Sequence, residues 1–77
     1  MSIKVRFFAS LSDLVGVSEM EIDFIEGLSV TDVWAQTSPH DSLPSGSLFA
    51  INHTYSEAQD ILQDEDEIAY FPPLTGG

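Results

Sequence analysis

Hydrophobic and polar positions alternate along the first residues of the chain. The odd-numbered positions are Ile3, Val5, Phe7 and Ala9, and the even-numbered positions between them are Lys4, Arg6 and Phe8. A period of two is typical of a β-strand with one buried face. Residues 19–24 alternate in the same way, with acids at Glu19, Glu21 and Asp23. We expect the two strands to pair antiparallel, with the acids of the second opposite the two cations of the first and paired with them.

The residues between these strands predict a short helical turn. Ser10 and Asp13 have the spacing of a capping box, in which the side chain of the serine caps the first turn. Gly16 can take the left-handed conformation that ends a helix. The chain therefore turns back at Gly16 toward the second strand.

The main helix is predicted over residues 28–38. Ser29 can cap its first turn with Asp32 as the reciprocal partner, and Pro39 prevents its continuation. Its apolar stripe consists of Val30, Val33, Trp34 and Thr37. Because a tryptophan on the apolar stripe of a lone helix normally faces the core, we assign Trp34 to the core and not to ligand stacking.

The next segments predict a loop and a strand pair. Residues 39–46 have the composition of a loop. Residues 47–56 predict a strand that is interrupted by a tight turn at Asn52 and His53, with a short return strand over residues 54–56.

The last strand follows an acidic turn at residues 64–67. In this strand Ile68 and Tyr70 alternate with Ala69 and Phe71, and Pro72 and Pro73 then remove the backbone donors that a ladder needs. The order is strand, strand, helix, two short strands and a last strand. With one helix to cover one sheet face, it predicts a small α+β roll.

Composition and charge narrow the possible functions. The 77 residues, 43% of them hydrophobic, make one domain, which we place at residues 1–73 with a flexible tail at residues 74–77. Lys4 and Arg6 are the only bases against thirteen acids, and the formal charge of −11 disfavours nucleic acid and anionic membranes as partners. The acids either attract a basic protein or only keep the chain soluble. Since no secretory signal or membrane span is readable, we expect a cytoplasmic location.

The body of the chain shows no pattern of catalytic or metal chemistry. The absence of cysteine excludes a thiolate zinc site, a catalytic thiol and a persulfide carried by the protein. His40 and His53 lack ligand spacing, and the acids at residues 64–67 lack the glycine and the alternating oxygen ligands of a calcium loop. We therefore expect no metal and no permanently bound cofactor.

The segment FPPLTGG at residues 71–77 has two explanations. One is an idle, frayed tail. The other is a narrow, extended segment that inserts into another protein. Pro72 and Pro73 would stiffen its base, and the residues beyond them can extend by roughly 13 Å. Glycines without a Cβ could enter a channel too narrow for any other residue. The carboxylate of Gly77 would then be delivered into the active site of another protein.

The segments IKVRFFA at residues 3–9, AIN at residues 50–52 and DEDEIAYFPPLTGG at residues 64–77 resemble the small subunit of molybdopterin synthase, the MoaD type of ubiquitin-like sulfur carrier. The resemblance covers essentially the whole chain. It implies a ubiquitin-like β-grasp fold, with a mixed sheet of four to five strands and one main helix on one face. Glu65 departs from the pattern, because relatives often carry glycine there, so we expect this turn to be either strained or differently shaped.

The resemblance also implies a chemical role for the tail. Gly77 would be adenylated with ATP by a MoeB-type activating enzyme and converted to a thiocarboxylate. Leu74, Thr75 and Gly76 would insert into a MoaE-type large subunit, where the sulfur passes to cyclic pyranopterin monophosphate to form the molybdopterin dithiolene. The chain would be the non-catalytic, sulfur-donating subunit of a heterotetramer, with the active-site pocket on the large subunit.

Four residues are candidates for partner binding: Phe8, Phe71, Pro72 and Pro73. Phe8 and Phe71 either lie on the outer face of the sheet near the tail, as apolar anchors, or fill the core. Other functions also stay open. The chain could be a sulfur carrier for thiazole or transfer RNA, a ubiquitin-like protein modifier, or a β-grasp interaction module whose glycines are idle.

Overall fold

The computed structural model describes residues 1–38 and 46–72, which hold five strands and two helices. In chain order these are β1 (Ser2–Phe7), α1 (Ser10–Val15), β2 (Glu19–Asp23), α2 (Val30–Thr37), β3 (Leu48–Ile51), β4 (Thr54–Ser56) and β5 (Glu67–Phe71). The strands form one sheet in the order β2-β1-β5-β3-β4. The β1–β5 pair is parallel, and the other neighbours are antiparallel. The predicted α+β roll, with a mixed sheet and one main helix, is confirmed.

The pairing of β1 with β2 is antiparallel as expected, with Arg6 opposite Glu19. The expected ion pairing is wrong for Arg6, whose Nη1 contacts Oε2 of Glu67 in β5 at 3.4 Å. Glu21 accepts a hydrogen bond from Ser2 Oγ at 3.0 Å. The physical reason is that β5 lies on the other side of β1 and presents Glu67 on the same sheet face in a less exposed position.

The core lies between the inner face of the sheet and α2. Its fully or nearly buried side chains include Ile3, Val5, Phe7, Leu11, Val30, Val33, Trp34, Leu62, Ile68 and Tyr70. Trp34 is 1% exposed and contacts Phe7 edge-on at 6.0 Å and Tyr70 at 5.4 Å between ring centroids, so its assignment to the core is confirmed. Burial raises the pKa of the Tyr70 phenol, whose hydroxyl donates to the backbone oxygen of Val30 at 2.7 Å.

The first turn of α2 has the predicted capping box. Ser29 Oγ accepts a hydrogen bond from the backbone N–H of Asp32, and the Asp32 carboxylate accepts one from the backbone N–H of Ser29, both at 3.1 Å. The helix ends where the N–H of Ser38 donates to the oxygen of Trp34. The predicted loop at residues 39–46 lies, apart from Gly46, outside the described residues.

The start of α1 differs from the prediction. Ala9 is its N-cap, with φ 52°, and no side chain caps the helix, so Ser10 is the first helical residue and not the cap. The chain already bends at Phe8, whose backbone oxygen accepts a hydrogen bond from the N–H of Leu11 at 3.0 Å. The helix therefore begins one residue earlier than the sequence predicts. Gly16 ends the helix at φ 102°, as predicted. Among the described residues, no helix is long and apolar enough to cross a membrane.

The two predicted turns near the end of the chain are present. Asn52 and His53 have φ 51° and 69°, a pair of left-handed residues that suits the tight turn between β3 and β4. Glu65 has φ 68°, which confirms the expected strain at a position that favours glycine. Its backbone N–H donates to the oxygen of Ser2 at 3.0 Å and so ties the acidic turn to the start of β1.

Candidate docking face

The sheet has a second face, opposite the core, which we call the outer face. The strand register decides which residues it presents. Arg6 lies beside Ala69, and Ala69 beside Ala50, so these three outward positions form a row across β1, β5 and β3. Tyr55 of β4 lies beside Ala50 and continues the row to the edge of the sheet.

A depression of about 210 Å³ occupies the middle of this face. It is lined by Arg6, Phe8, Ala50, His53, Tyr55, Glu67, Ala69 and Phe71. The two alanines are the smallest side chains of this lining, so they form a low floor between taller neighbours. The depression therefore has an apolar centre, an aromatic side and a polar side.

The aromatic side is built by Phe8, Phe71 and Tyr55. The rings of Phe8 and Phe71 stack with their centroids 4.8 Å apart and an interplanar angle of 11°. Tyr55 meets Phe71 edge-on at 6.5 Å and is 73% exposed. Phe8 and Phe71 are half-buried and do not belong to the core. Of the two positions that the sequence left open, the core and the outer face, they therefore occupy the outer face. Aromatic rings that stay partly exposed are typical anchors for a protein partner.

The polar side is centred on the carboxylate of Glu67. Its Oε2 lies 3.4 Å from Arg6 Nη1, and its Oε1 lies 3.9 Å from His53 Nε2. The guanidinium carbon of Arg6 also lies 5.3 Å from the ring centroid of Phe8. This distance is within the range of a cation–π contact, so Arg6 joins the polar side of the depression to the aromatic side.

Asn52 holds the β3–β4 turn against the start of β5. Its Nδ2 donates to Asp66 Oδ1 at 2.8 Å, and its Oδ1 accepts from the backbone N–H of Glu67 at 2.9 Å. Asp66 Oδ2 also accepts from the backbone N–H of Gln63 at 2.7 Å. These hydrogen bonds fix the position of the hairpin that carries His53 and Tyr55 relative to β5.

The chain leaves the sheet at the aromatic side of the depression. Phe71 is the last residue of β5, and the half-buried Pro72 follows it. The partner-binding candidate Pro73 and the predicted tail residues Leu74, Thr75, Gly76 and Gly77 lie outside the described residues. The structure thus places two predicted anchors, Phe8 and Phe71, side by side at the end of β5, directly before Pro72.

The structure also gives residues that the sequence reasoning did not single out: Ala50, Tyr55, Ala69, Glu67 and, as a site residue, Arg6. Tyr55 could have been found by assuming a two-residue turn at Asn52, because that turn fixes which β4 residue lies beside Ala50. The contact between Arg6 and Glu67 had no local signal, since it depends on the parallel pairing of β1 with β5.

No group of three or more His, Cys, Asp or Glu side chains within residues 1–38 and 46–72 is placed to hold a metal ion. His53 is exposed, and its nearest acidic partner is the single carboxylate of Glu67. His40 lies outside the described residues.

Comparison with known proteins covers nearly the whole chain. A family model described as the ThiS family matches residues 5–77. A molybdopterin synthase sulfur carrier subunit from Chlamydomonas reinhardtii is 39% identical, with all of both chains covered. A subunit of the same name from Escherichia coli is 40% identical, with 97% of this chain and 99% of the relative covered.

Solved structures confirm the ubiquitin-like β-grasp fold. SAMP1 from Haloferax volcanii has a TM-score of 0.79 at 22% identity, with all of both chains covered. A putative molybdopterin converting factor subunit 1 from Pyrococcus furiosus has a TM-score of 0.74 at 27% identity, with coverages of 96% and 99%. One chain in the protein-protein complex of subunits 1 and 2 of molybdopterin-converting factor from Helicobacter pylori has a TM-score of 0.64 at 23% identity over both full chains.

Proposed function

The chain belongs to the ThiS family, and from this membership we propose that it is the sulfur carrier subunit of a molybdopterin synthase. Its relatives with 38% to 40% identity over nearly the full chain carry that name. In this proposal the protein contributes a sulfur atom and a docking surface, and the large subunit contributes the catalytic pocket.

The observation that carries the proposal is the position of the aromatic side of the outer face. Phe8 and Phe71 stack at the end of β5, directly before Pro72. A partner that binds this face is therefore held next to the start of the tail. Docking through aromatic rings on a rigid sheet would leave the tail free to enter the partner. A carrier needs this separation between the surface that binds and the segment that delivers the reactive group.

The tail supplies the reactive group. A carboxylate is a poor electrophile, so the Gly77 carboxylate first attacks the α-phosphorus of ATP and displaces pyrophosphate, which yields an acyl-adenylate. A sulfide-equivalent nucleophile from the partner then attacks the acyl carbon and displaces AMP. The product is a thiocarboxylate, whose sulfur is a softer and stronger nucleophile than the oxygen that it replaced. Each thiocarboxylate donates one sulfur to cyclic pyranopterin monophosphate, and water restores the Gly77 carboxylate. Two thiocarboxylated copies are therefore needed for the two sulfurs of the molybdopterin dithiolene.

The residues before Gly77 act as its stem in this proposal. Pro72 and Pro73 hold the base extended, and Leu74, Thr75 and Gly76 carry the terminal carbonyl into the partner. Four residues beyond Pro73 reach roughly 13 Å when extended. Gly76 and Gly77 keep the end of the tail free of side chains, which suits a narrow channel.

Two partners follow from this chemistry. One is a large subunit of the MoaE type, and the two-subunit complex from Helicobacter pylori supports it by analogy of fold. The other is an ATP-dependent activating enzyme of the MoeB type. We place these steps in the cytoplasm, without a permanently bound cofactor, and we propose two large and two small subunits for the working synthase.

The experiment that tests the proposal is intact-mass spectrometry. The chain is incubated with an activating enzyme of this class, MgATP and a sulfide source, and its mass is measured before and after. The proposal predicts the gain that corresponds to one sulfur in place of one oxygen, and removal of Gly77 abolishes this gain. An unchanged mass of the full chain in an assay where a known carrier reacts would contradict the proposal.

A second measurement separates the carrier functions from one another. The thiocarboxylated chain is offered a molybdopterin synthase large subunit with its pterin precursor, a thiazole-forming system, a transfer RNA thiolation system and a lysine-containing acceptor protein. The proposal predicts sulfur transfer only in the first. Transfer only in one of the others would assign the chain to that function instead.

A further inference from the structure

The positive side chains of this protein share one surface. Lys4 and Arg6 are the only bases of the sequence, against thirteen acids. Both occupy the outward register of β1, so both lie on the outer face. The outer face is therefore the surface on which an acidic group of a partner can meet a positive side chain, although Glu67 lies on the same face beside Arg6.

Arg6 differs from Lys4 in how it is held. Its guanidinium lies over the ring of Phe8 at 5.3 Å and contacts Glu67 at 3.4 Å, and its side chain is 41% exposed. Lys4 is exposed and lies outside the depression. Because Arg6 is fixed by two neighbours before any partner arrives, it loses less conformational entropy when it binds one.

Arg6 also has free capacity for a ligand. The contact with Glu67 is the one hydrogen bond that its side chain makes among the described residues, and 3.4 Å is long for such a bond. The other N–H groups of a guanidinium form a planar fork that matches a carboxylate. Arg6 lines an apolar depression, and a partner that covers this depression would exclude water from an ion pair formed there.

We propose that Arg6 receives a carboxylate of the molybdopterin synthase large subunit at the polar side of the depression, and that this contact sets the orientation in which the two subunits dock. The inference rests on the proposed function. The occupant is an acidic side chain of the partner that lies beside an apolar group, since the apolar group fills the depression over Ala50 and Ala69. In the alternative, Arg6 only covers Phe8 and neutralises Glu67.

The chain offers a matched control for this proposal. Arg6→Met and Lys4→Met remove the same charge from the same face of the same strand, two positions apart, and both keep an unbranched apolar stem. Isothermal titration calorimetry with a large subunit measures the affinity of each variant at low and at moderate ionic strength. Thermal unfolding of each free variant shows that the fold is retained.

We expect Arg6→Met to weaken binding about 10- to 100-fold and Lys4→Met by less than about threefold. Arg6→Lys should recover only part of the loss, because it keeps the charge without the planar fork. The difference between Arg6→Met and the wild type should change little as salt is added, because an ion pair from which water is excluded is screened less than an exposed pair.

Other outcomes overturn the inference. Equal losses for the two methionine variants would mean that only net charge is sensed. Wild-type affinity in Arg6→Met would mean that Arg6 only covers Phe8. Either result leaves the carrier function intact, provided that the wild-type chain binds. Failure of the wild-type chain to bind a large subunit at all would overturn both this inference and the proposed function.

Discussion

Phe8 and Phe71 stack almost parallel on the outer face of the sheet, with ring centroids 4.8 Å apart, although they lie near opposite ends of the chain. The parallel pairing of β1 with β5 causes this contact, because Arg6 lies beside Ala69 and the next outward residues of the two strands therefore meet. The first and last strands of the fold thus contribute together to the outer face, at the end of β5 that precedes Pro72.

The stacked pair should matter for docking more than for folding. Phe71→Ala and Phe8→Ala should each weaken binding to the large subunit by about 10- to 100-fold, because half-exposed aromatic anchors carry a large share of interface energy. Titration calorimetry measures the affinity, and circular dichroism checks the fold. Ile25→Ala is the control, since Ile25 is 57% exposed and lies outside β2 and outside the lining of the depression. Equal effects of all three changes would remove the pair from the interface.

The two serines at the helix starts should behave differently. Ser29→Ala should lower the free energy of unfolding by about 1 kcal/mol, because it removes the acceptor of the Asp32 N–H. Ser10→Ala should change it by less than about 0.5 kcal/mol, because Ser10 does not cap α1. Urea unfolding of both variants measures the difference. A loss at Ser10 as large as that at Ser29 would contradict the assignment of Ala9 as the N-cap.

Glu65 should be a site where glycine stabilises the fold. At φ 68° a glutamate carries a left-handed penalty of about 1–2 kcal/mol, which exceeds the extra chain entropy of about 0.5–1 kcal/mol that glycine loses on folding. Glu65→Gly should therefore raise the free energy of unfolding, by up to about 1.5 kcal/mol, in urea unfolding.

Asp64→Gly is the matched control for this change. It removes the same charge from the neighbouring position, where φ is not positive and no strain can be relieved. It should lower the free energy of unfolding by about 0.5–1 kcal/mol. If both variants were stabilised alike, relief of charge repulsion and not of backbone strain would be the cause.

Gly76 tests the idea that the tail enters a narrow channel. A side chain at this position should obstruct the approach or displace the terminal carbonyl, and a displacement of about 1 Å can lower a rate on the order of 100-fold. Gly76→Ala should slow molybdopterin formation, and Gly76→Val should nearly abolish it. Both should bind the large subunit with only moderately lower affinity, because neither change alters the aromatic rings of the outer face. Normal turnover by Gly76→Val would exclude a steric role for the glycine pair.

The sequence predicts those parts of the fold that local patterns encode. The period of two in β1 and β2 and the capping box of Ser29 and Asp32 depend on neighbours in sequence, and the structure confirms them. Trp34 was assignable to the core because α2 is the main helix and its stripe faces one side. The strain at Glu65 was also readable, from its departure from a family pattern.

The features that the sequence does not predict depend on contacts between distant segments of the chain. Ser10 has the spacing of a capping residue, but the bend at Phe8 starts the helix one residue too early for it to cap. Arg6 was expected to pair with β2, yet β5 brings Glu67 to its other side. Tyr55 joins the lining of the outer-face depression only through the registers of β3 with β4 and β5. Single-sequence patterns do not contain these registers.

Deletion of Gly77 tests the central claim most directly. The full chain and the chain without Gly77 are each combined with large subunit, activating enzyme, MgATP, sulfide source and pterin precursor, and molybdopterin formation is measured. The truncated chain should unfold at nearly the same temperature as the full chain, because a terminal glycine has almost no apolar area to bury. We predict molybdopterin formation with the full chain and none with the truncated chain. Wild-type levels of product from the truncated chain would contradict a sulfur carrier function for this protein.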